Sequence, residues 1–341
     1  MISKRTALMI IAAVFALSIL IGFLFYLNFQ GDLRGGWASI NVAYSPFEST
    51  ALFLVAQERG FFSQNALNVT VHYYSTGALA LEAVLNGEAD VAIGTTEFPL
   101  AIRALDQKEI QTMACISESN FMYLVGRFDR GIGKPSDLNG KIIGTTLGTI
   151  SHYYLGRFLV LNDLNLEDVT VVDLKTPMEW VDAVVNGSVD AVATAQPYAT
   201  SAKEGLGFNA VVWSLHSNQP LYAQAIASRE WISANPELCV RFLRALLKAE
   251  EFVTNDPAEA KMIVKQRLNF SDAYVETVWS QNQFSLSLDQ SVILAMESEA
   301  RWLISNDLSN ETVIPDFRDF VYIKGLVSVK PQSVNMIGGG S

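Results

Sequence analysis

Cysteine and histidine are scarce in this 341-residue chain. The two cysteines, Cys115 and Cys239, cannot build a disulfide scaffold, and each stands among apolar residues as a separate buried thiol would. The histidines at 72, 152 and 216 are scattered, and no metal-ligand spacing is present, so neither metal nor cofactor is expected. No cysteine follows the apolar N-terminal stretch, which excludes a bacterial-type lipid anchor. Positive charge is also short: 24 Lys and Arg face 35 Asp and Glu, for a net charge of −11. No basic run lies beyond the N-terminus, so nucleic acid is a poor candidate partner.

What is present begins with residues 6–27, an uncharged apolar run preceded by Lys4 and Arg5. It is long enough to cross about 30 Å of hydrocarbon. The flanking positive charge keeps the N-terminus in the cytoplasm and puts the rest of the chain outside. A cleaved signal peptide is the rival reading, but its apolar region is normally shorter, and no A-x-A site is evident. Residues 1–37 therefore read as a short cytoplasmic stub, a transmembrane anchor and a tether. Asn68, Asn186, Asn269 and Asn310 begin N-x-S/T sequons.

The chain repeats itself. VTVHYYSTGALALEAVLNGEAD, residues 69–90, returns one hundred residues later as VTVVDLKTPMEWVDAVVNGSVD, residues 169–190, with nine of twenty-two positions identical. Each copy reads as a β-branched strand, a threonine cap (Thr76, Thr176), a helix stopped by Asn-Gly, and a short apolar strand. Backwards at the same offset, residues 39–45 and 140–146 read as strands, each followed by a helix, at about 50–59 and 151–161. Each half is thus strand–helix–strand–helix–strand, two right-handed crossovers building a parallel sheet with helices on its faces. Helices are expected at about 236–254, 257–267, 272–283, 290–305 and 316–323, after a strand near 222–231. The middle segment becomes an insertion between two parts of a first lobe, with crossings near YLVGRFD and PLYAQAI that form a hinge.

These residues resemble a known family. STGALALEAVLNGEADVAIGTTEFP, KPSDLNGKIIGTTLGTISHYYLGRFL and VDAVVNGSVDAVATAQPY, in that order, look like the extracytoplasmic solute-binding proteins of ABC importers. The similar branch is the nitrate/sulfonate/taurine and thiamine-pyrimidine-precursor group. The resemblance implies an α/β, two-lobe type II periplasmic-binding fold with a hinge of two crossing strands, here preceded by a transmembrane helix. Residues 38–125 with 222–330 would form lobe one and 126–221 lobe two. It further implies a small-molecule solute captured between the lobes and passed to ABC permease subunits in the membrane. An uncleaved anchor departs from the common bacterial pattern.

Open parallel sheets bind ligands at the carboxyl ends of their strands. In the first half those ends carry Tyr44, Ser45, Phe47, Thr76, Gly77, Thr95 and Thr96. In the second they carry Gly148, Thr149, Ile150, Ser151, His152, Met178, Gln196 and Tyr198. LGTISH is the sharpest: a glycine and then free N–H groups at a helix start can hold an anion or polar head. The plain alternative is an N-cap serving only its helix. Glu97 reads as a surface residue or a partner of Arg103, and Trp180 as core or lid. No Arg or Lys is read on these loops, which favours a neutral or heteroaromatic solute, such as a pyrimidine, over a bare sulfonate or nitrate. An enzyme on this fold is disfavoured: neither cysteine lies on a cleft loop and no carboxylate stands beside His152. A sensory ectodomain remains a third class, although the five residues before the apolar run are too few to hold a signalling domain.

Overall fold

The computed structural model describes residues 36–337. The expected anchor at 6–27 lies outside them; among the described residues no helix is long and apolar enough to cross a membrane.

The chain folds around two sheets. The first half runs β1 (Ala38–Tyr44), α1 (Ala51–Glu58), β2 (Leu67–Tyr73), α2 (Gly77–Leu85), β3 (Val91–Thr96), α3 (Glu97–Leu105) and β4 (Ile110–Ser119). The second runs β5 (Met122–Arg127), β6 (Ile142–Thr145), α4 (Ile150–Val160), β7 (Thr170–Asp173), α5 (Pro177–Asn186), β8 (Ala191–Ala195), α6 (Tyr198–Leu206) and β9 (Ala210–Ser214). Then come β10 (Leu221–Ser228), α7 (Pro236–Asn255), α8 (Pro257–Leu268), α9 (Asp272–Trp279), β11 (Asn282–Gln283), α10 (Gln290–Ser305) and α11 (Ile323–Val329).

The two crossover units are the same build. In the first, β1 lies between β2 and β3; in the second, β6 lies between β7 and β8; all four pairings are parallel. Neither sheet is wholly parallel, however. Antiparallel β10 flanks β3 and antiparallel β5 flanks β8, with β4 and β9 outside them. The chain changes sheets at residues 120–121 and again at 215–220, so β5 is already paired in the second sheet ahead of Gly126.

The repeated residues explain the repeated build. Thr76 Oγ1 accepts from Leu79 N at 3.2 Å, and Thr176 Oγ1 from Glu179 N at 3.3 Å, each filling an orphan donor of a helix start. Gly87 and Gly187 take φ of 73° and 83°, which favours glycine where each helix stops. Asp90 Oδ2 accepts from Asn41 N at 2.7 Å; Asp190 Oδ2 accepts from Ile142 N at 2.9 Å. Each aspartate thus ties the first strand of its half, at the middle of β1 and the start of β6, to the residue just before its third strand.

The C-terminal third is helical because its apolar residues recur at three or four. Cys239, Phe242, Leu246, Ala249 and Val253 form the buried face of α7. Two expectations fail: the helix expected over 272–283 ends at Trp279, with Asn282–Gln283 a strand, and the next departs further. Residues 316–323 are not a helix: Phe317–Phe320 is a 3-10 turn, and the helix begins at Ile323. Phe317 and Phe320 are both buried, and a three-residue repeat eclipses them on one side. Tyr322 N then donates to Thr112 O at 2.9 Å, pulling the chain out straight against β4. Cys115 and Cys239 are separate, free and buried.

Candidate functional site

At the carboxyl end of the first sheet three segments converge without room for side chains. A Cβ on Gly94, whose φ is +86°, would meet Ser45 O at 2.0 Å; one on Gly77 would meet Gly94 O at 2.3 Å. The end of β1, the end of β3 and the start of α2 therefore touch through backbone alone. Ser45 and Thr95 lie at this junction, 0% and 1% exposed, with hydroxyls that have no protein partner. The second sheet repeats the feature. Thr145 at the end of β6 and Thr194 near the end of β8 are both fully buried, and their hydroxyls are also unpartnered. A buried polar atom left unpaired costs about 1–3 kcal/mol, so four at matching strand ends mark places built for more than packing.

LGTISH behaves as an open helix start. Gly148 has φ +69° with open space where a Cβ would be. No side chain caps α4; Thr149 instead donates its hydroxyl to Thr146 O at 2.7 Å. Thus Thr149 sits at the cap position without capping the helix through its side chain. Ser151 and His152 are buried. His152 Nδ1 accepts from Gly148 N at 3.3 Å, and its ring sits edge-on to Trp302 at 4.9 Å. Burial holds this imidazole below its ordinary value, against the opposing pull of Asp173. Further along α4, Tyr153 shares a hydrogen bond with Ser298 on α10 at 2.9 Å, and Tyr154 donates to Gln219 O at 3.1 Å. The helix is thus seated against the first half while its start points to the strand ends.

The other predicted residues divide. Tyr198 is half-buried, with its ring edge-on to Trp180 at 5.6 Å. Trp180 is neither free core nor free lid: its indole donates to Leu174 O at 3.0 Å and Thr146 Oγ1 at 3.1 Å. Gln196 follows β8, but its Oε1 accepts from Thr200 Oγ1 at 2.8 Å and so is partly engaged within α6. Phe47 and Met178 stand exposed, at 41% and 68%. Thr96 precedes α3 and is half-buried. Thr76 is occupied as a cap. Tyr44 belongs to the core instead: its ring packs on Phe53 at 5.0 Å, and its hydroxyl meets Thr50 Oγ1 at 2.9 Å. Lys175, the one basic residue on these loops, is ion-paired to Asp173.

Glu97 overturns its expectation. It is fully buried and does not meet Arg103, which pairs with Glu82 and Asp106. One carboxyl oxygen accepts from Tyr222 N at 2.8 Å, at the start of β10. Glu299 on α10 is equally buried and acts on the same carboxyl, whose other oxygen, like both oxygens of Glu299, has no hydrogen-bond partner. Burial pushes Glu97 up to about 8. Glu48 was passed over although it lies in the first strand-end loop. It is 5% exposed, and its Oε1 accepts from Tyr274 Oη on α9 at 3.3 Å. Gln224 on β10 was also missed: fully buried, it faces the Cys115 thiol and has no oxygen or nitrogen partner for its amide. An apolar β10 gave no sign that one polar residue would matter. Surface cavities of about 360 Å³ and 740 Å³ flank α10 and contain none of the predicted residues. Among the described residues, no three His, Cys, Asp or Glu side chains group as metal ligands.

With this geometry in hand, comparison with known proteins is informative. A family model described as NMT1/THI5 like matches residues 48–260, more than half of the chain. A Brucella abortus protein named "Putative binding protein BAB2_1146" is 24% identical over 272 residues, covering 77% of this chain and 82% of its own. The periplasmic aliphatic sulphonate binding protein SsuA of Escherichia coli superposes with a TM-score of 0.72 at 16% identity, over 83% of this chain and 97% of its own. The desulfurization enzyme DSZB superposes with a TM-score of 0.64, also at 16% identity, over 86% of this chain and 99% of its own. The fold is therefore the α/β periplasmic-binding-protein fold, and that fold is shared by binding proteins and by at least one enzyme.

Proposed function

The chain belongs to the NMT1/THI5-like family, and from that premise we propose that it is an extracytoplasmic solute-binding receptor delivering cargo to an ABC permease. One observation carries the reading: in both sheets the parallel strands end in buried, unpartnered hydroxyls, at Ser45 and Thr95 and at Thr145 and Thr194. Hydroxyls both give and accept hydrogen bonds, which suits a small polar solute held between two halves. The open start of α4 adds N–H donors from the second half.

In this reading the first sheet with its helices forms one lobe, the second sheet with its helices, residues 122–214, the other, and the crossings at 120–121 and 215–220, rather than at 126 and 222, are the hinge on which they close. Ser45, Phe47, Gly77, Thr95 and Thr96 would meet the solute from one side. Gly148, Thr149, Ile150, Ser151, His152, Gln196 and Tyr198 would meet it from the other, with Met178 at the rim. The cargo is a small polar organic solute, pyrimidine-like or sulfonate/nitrate-like. Residues 6–27 would hold the receptor on the outer face of the cell membrane. The protein would not be an enzyme: His152, the histidine at the site, is engaged with Gly148 N and has no carboxylate hydrogen-bonded to it.

The test is a thermal-shift screen of the full chain against nitrate, alkanesulfonates, bicarbonate, aminopyrimidines and polyamines. A cognate solute at a hundredfold excess over its Kd should stabilise by about 2.7 kcal/mol. Ser151→Ala or Tyr198→Ala should remove the response. A response that neither variant weakens would place the solute elsewhere and contradict the reading.

A further inference from the structure

α4 belongs to the second half but is seated on the first. Its Tyr153 hydroxyl meets Ser298 Oγ on α10 at 2.9 Å, and Tyr154 Oη donates to Gln219 O in the crossing at 3.1 Å. The Trp302 ring on α10 stands edge-on to His152 at 4.9 Å and to Tyr153 at 5.6 Å. A Cβ on Gly156 would meet Trp302 Nε1 at 2.7 Å, so the two helices touch where α4 has no side chain. Phe98 on α3 closes the joint, 6.0 Å from the Tyr153 ring and 6.4 Å from that of Trp302. The helix that opens the second half's share of the proposed site is thus held by the opposite half, beside a crossing on which the halves would turn.

Two carboxyls lie in this joint. Glu97 precedes Phe98, and Glu299 follows Ser298, one turn before Trp302. Both are fully buried, and each acts on the other. One oxygen of Glu97 accepts from Tyr222 N at 2.8 Å, just past the crossing. Its other oxygen and both of Glu299 have no partner. A carboxylate without donors in a dry site is costly, and two side by side are costlier. The seated joint therefore retains protons that a joint opened to water would release.

The other groups around the joint leave the range just above neutrality to this pair. Burial pushes Cys115 on β4, Tyr153 and Tyr154 on α4, and Tyr222 on β10 above their ordinary values. It holds His152 on α4 and His216 in the crossing below theirs, His216 at about 4. Arg157 on α4 is spent on the carbonyls of His216 and Ser217, at 2.7 and 3.3 Å. Arg301 on α10 pairs with Glu297, and Arg103 on α3 with Glu82 and Asp106. Burial lifts Glu97 to about 8 and Glu299 well above the carboxylate range. The seated state is therefore fully favoured below the ordinary carboxylate range and loses that advantage as pH rises through about 8.

We propose that Glu97 and Glu299 form a proton-dependent latch between the halves: while the pair keeps a proton α4 stays seated on α10, and when both acids ionise water enters the joint and the halves part. The inference rests on the two-lobe reading and on no particular cargo.

The test uses the full chain without solute, spin-labelled at Met262→Cys on α8 and Phe208→Cys after α6, exposed positions in opposite halves. Pulsed electron resonance would follow their distance between about pH 6 and 9. One distance should dominate at the low end. A second should replace it as pH rises, the ratio growing by up to about tenfold per pH unit as one proton leaves. Glu299→Gln and Glu97→Gln each give the remaining carboxylate an amide donor, so in both the low-pH distance should persist throughout. A wild-type distance that ignores pH while stability still falls would reduce the pair to a packing feature and overturn the latch. A response that survives in both variants would place the proton elsewhere and overturn it too. Either failure leaves the receptor reading standing, because that reading is judged by the solute screen.

Discussion

The two crossover units share their second helix and differ at their first. α2 and α5 start alike, each under a threonine that caps it, and each stops at an Asn-Gly pair. The helices after the first strands do not match. In one half the turn into the helix carries Phe47 and a buried acid, Glu48; in the other it carries Gly148, Thr149 and a neutral histidine. The repeated phrase is thus scaffolding, whose positions are fixed by caps, stops and strand ties. The proposed site lies where the copies diverge, among residues with no shared structural duty.

Four perturbations would break or sharpen that contrast. The largest effect belongs to the glycine at the crowded strand end. Gly94→Ala must push a Cβ into Ser45 O at a positive φ, and should cost about 4 kcal/mol in chemical denaturation, whereas Gly148→Ala has open space and should cost about 1. Equal losses would mean that the two strand ends are less different than drawn.

Next comes the buried acid pair, Glu97 on α3 and Glu299 on α10. Both carboxyls bind protons more tightly folded than unfolded, so their contribution is fully present below the ordinary carboxylate range. It is lost as pH rises through the folded value, about 8 for Glu97. Stability should therefore fall by up to about 1.4 kcal/mol per pH unit between roughly pH 5 and 8 from one retained proton. Glu299→Gln keeps a donor for Glu97 and should flatten that slope. An unchanged slope would show that the proton is held elsewhere.

The strand ties come third. Asp90→Ala and Asp190→Ala each leave a strand amide unmatched and should each cost about 2 kcal/mol. A difference above about 1 kcal/mol would deny that the copies are equivalent. Smallest are the caps: Thr76→Ala and Thr176→Ala should cost about 1 kcal/mol each, without altering solute affinity.

Much of this was legible in the chain itself, because the signals were local. The start of α5 is announced by Thr176-Pro177 and its end by Asn186-Gly187. The span of α10 follows from apolar spacing alone. The strand order in both halves follows from the handedness of successive crossovers. What was not legible depended on distant partners. β4 and β9 pair across the hinge with strands far off in sequence, so the sheets turned out mixed. Glu97 looked like an exposed helix start next to Arg103, and only Glu299, two hundred residues later, and Tyr222 N show it to be buried. Tyr44 was drawn into the site by its place at a strand end, while Phe53, Tyr73 and Thr50 take it into the core. Glu48 was readable as a residue but not as a buried one, since its cover comes from Tyr274 on α9.

The most direct test of the account is whether the halves close on a solute at the strand ends. Leu79 and Met178 are exposed near the starts of α2 and α5, and the native thiols are buried, so Leu79→Cys with Met178→Cys can take a pair of spin labels. The distance between them would be measured by pulsed electron resonance with and without the solute that raises the melting midpoint. Closure predicts a single, shorter and narrower distance in the bound protein. A midpoint that rises while the distance stays unchanged would contradict it.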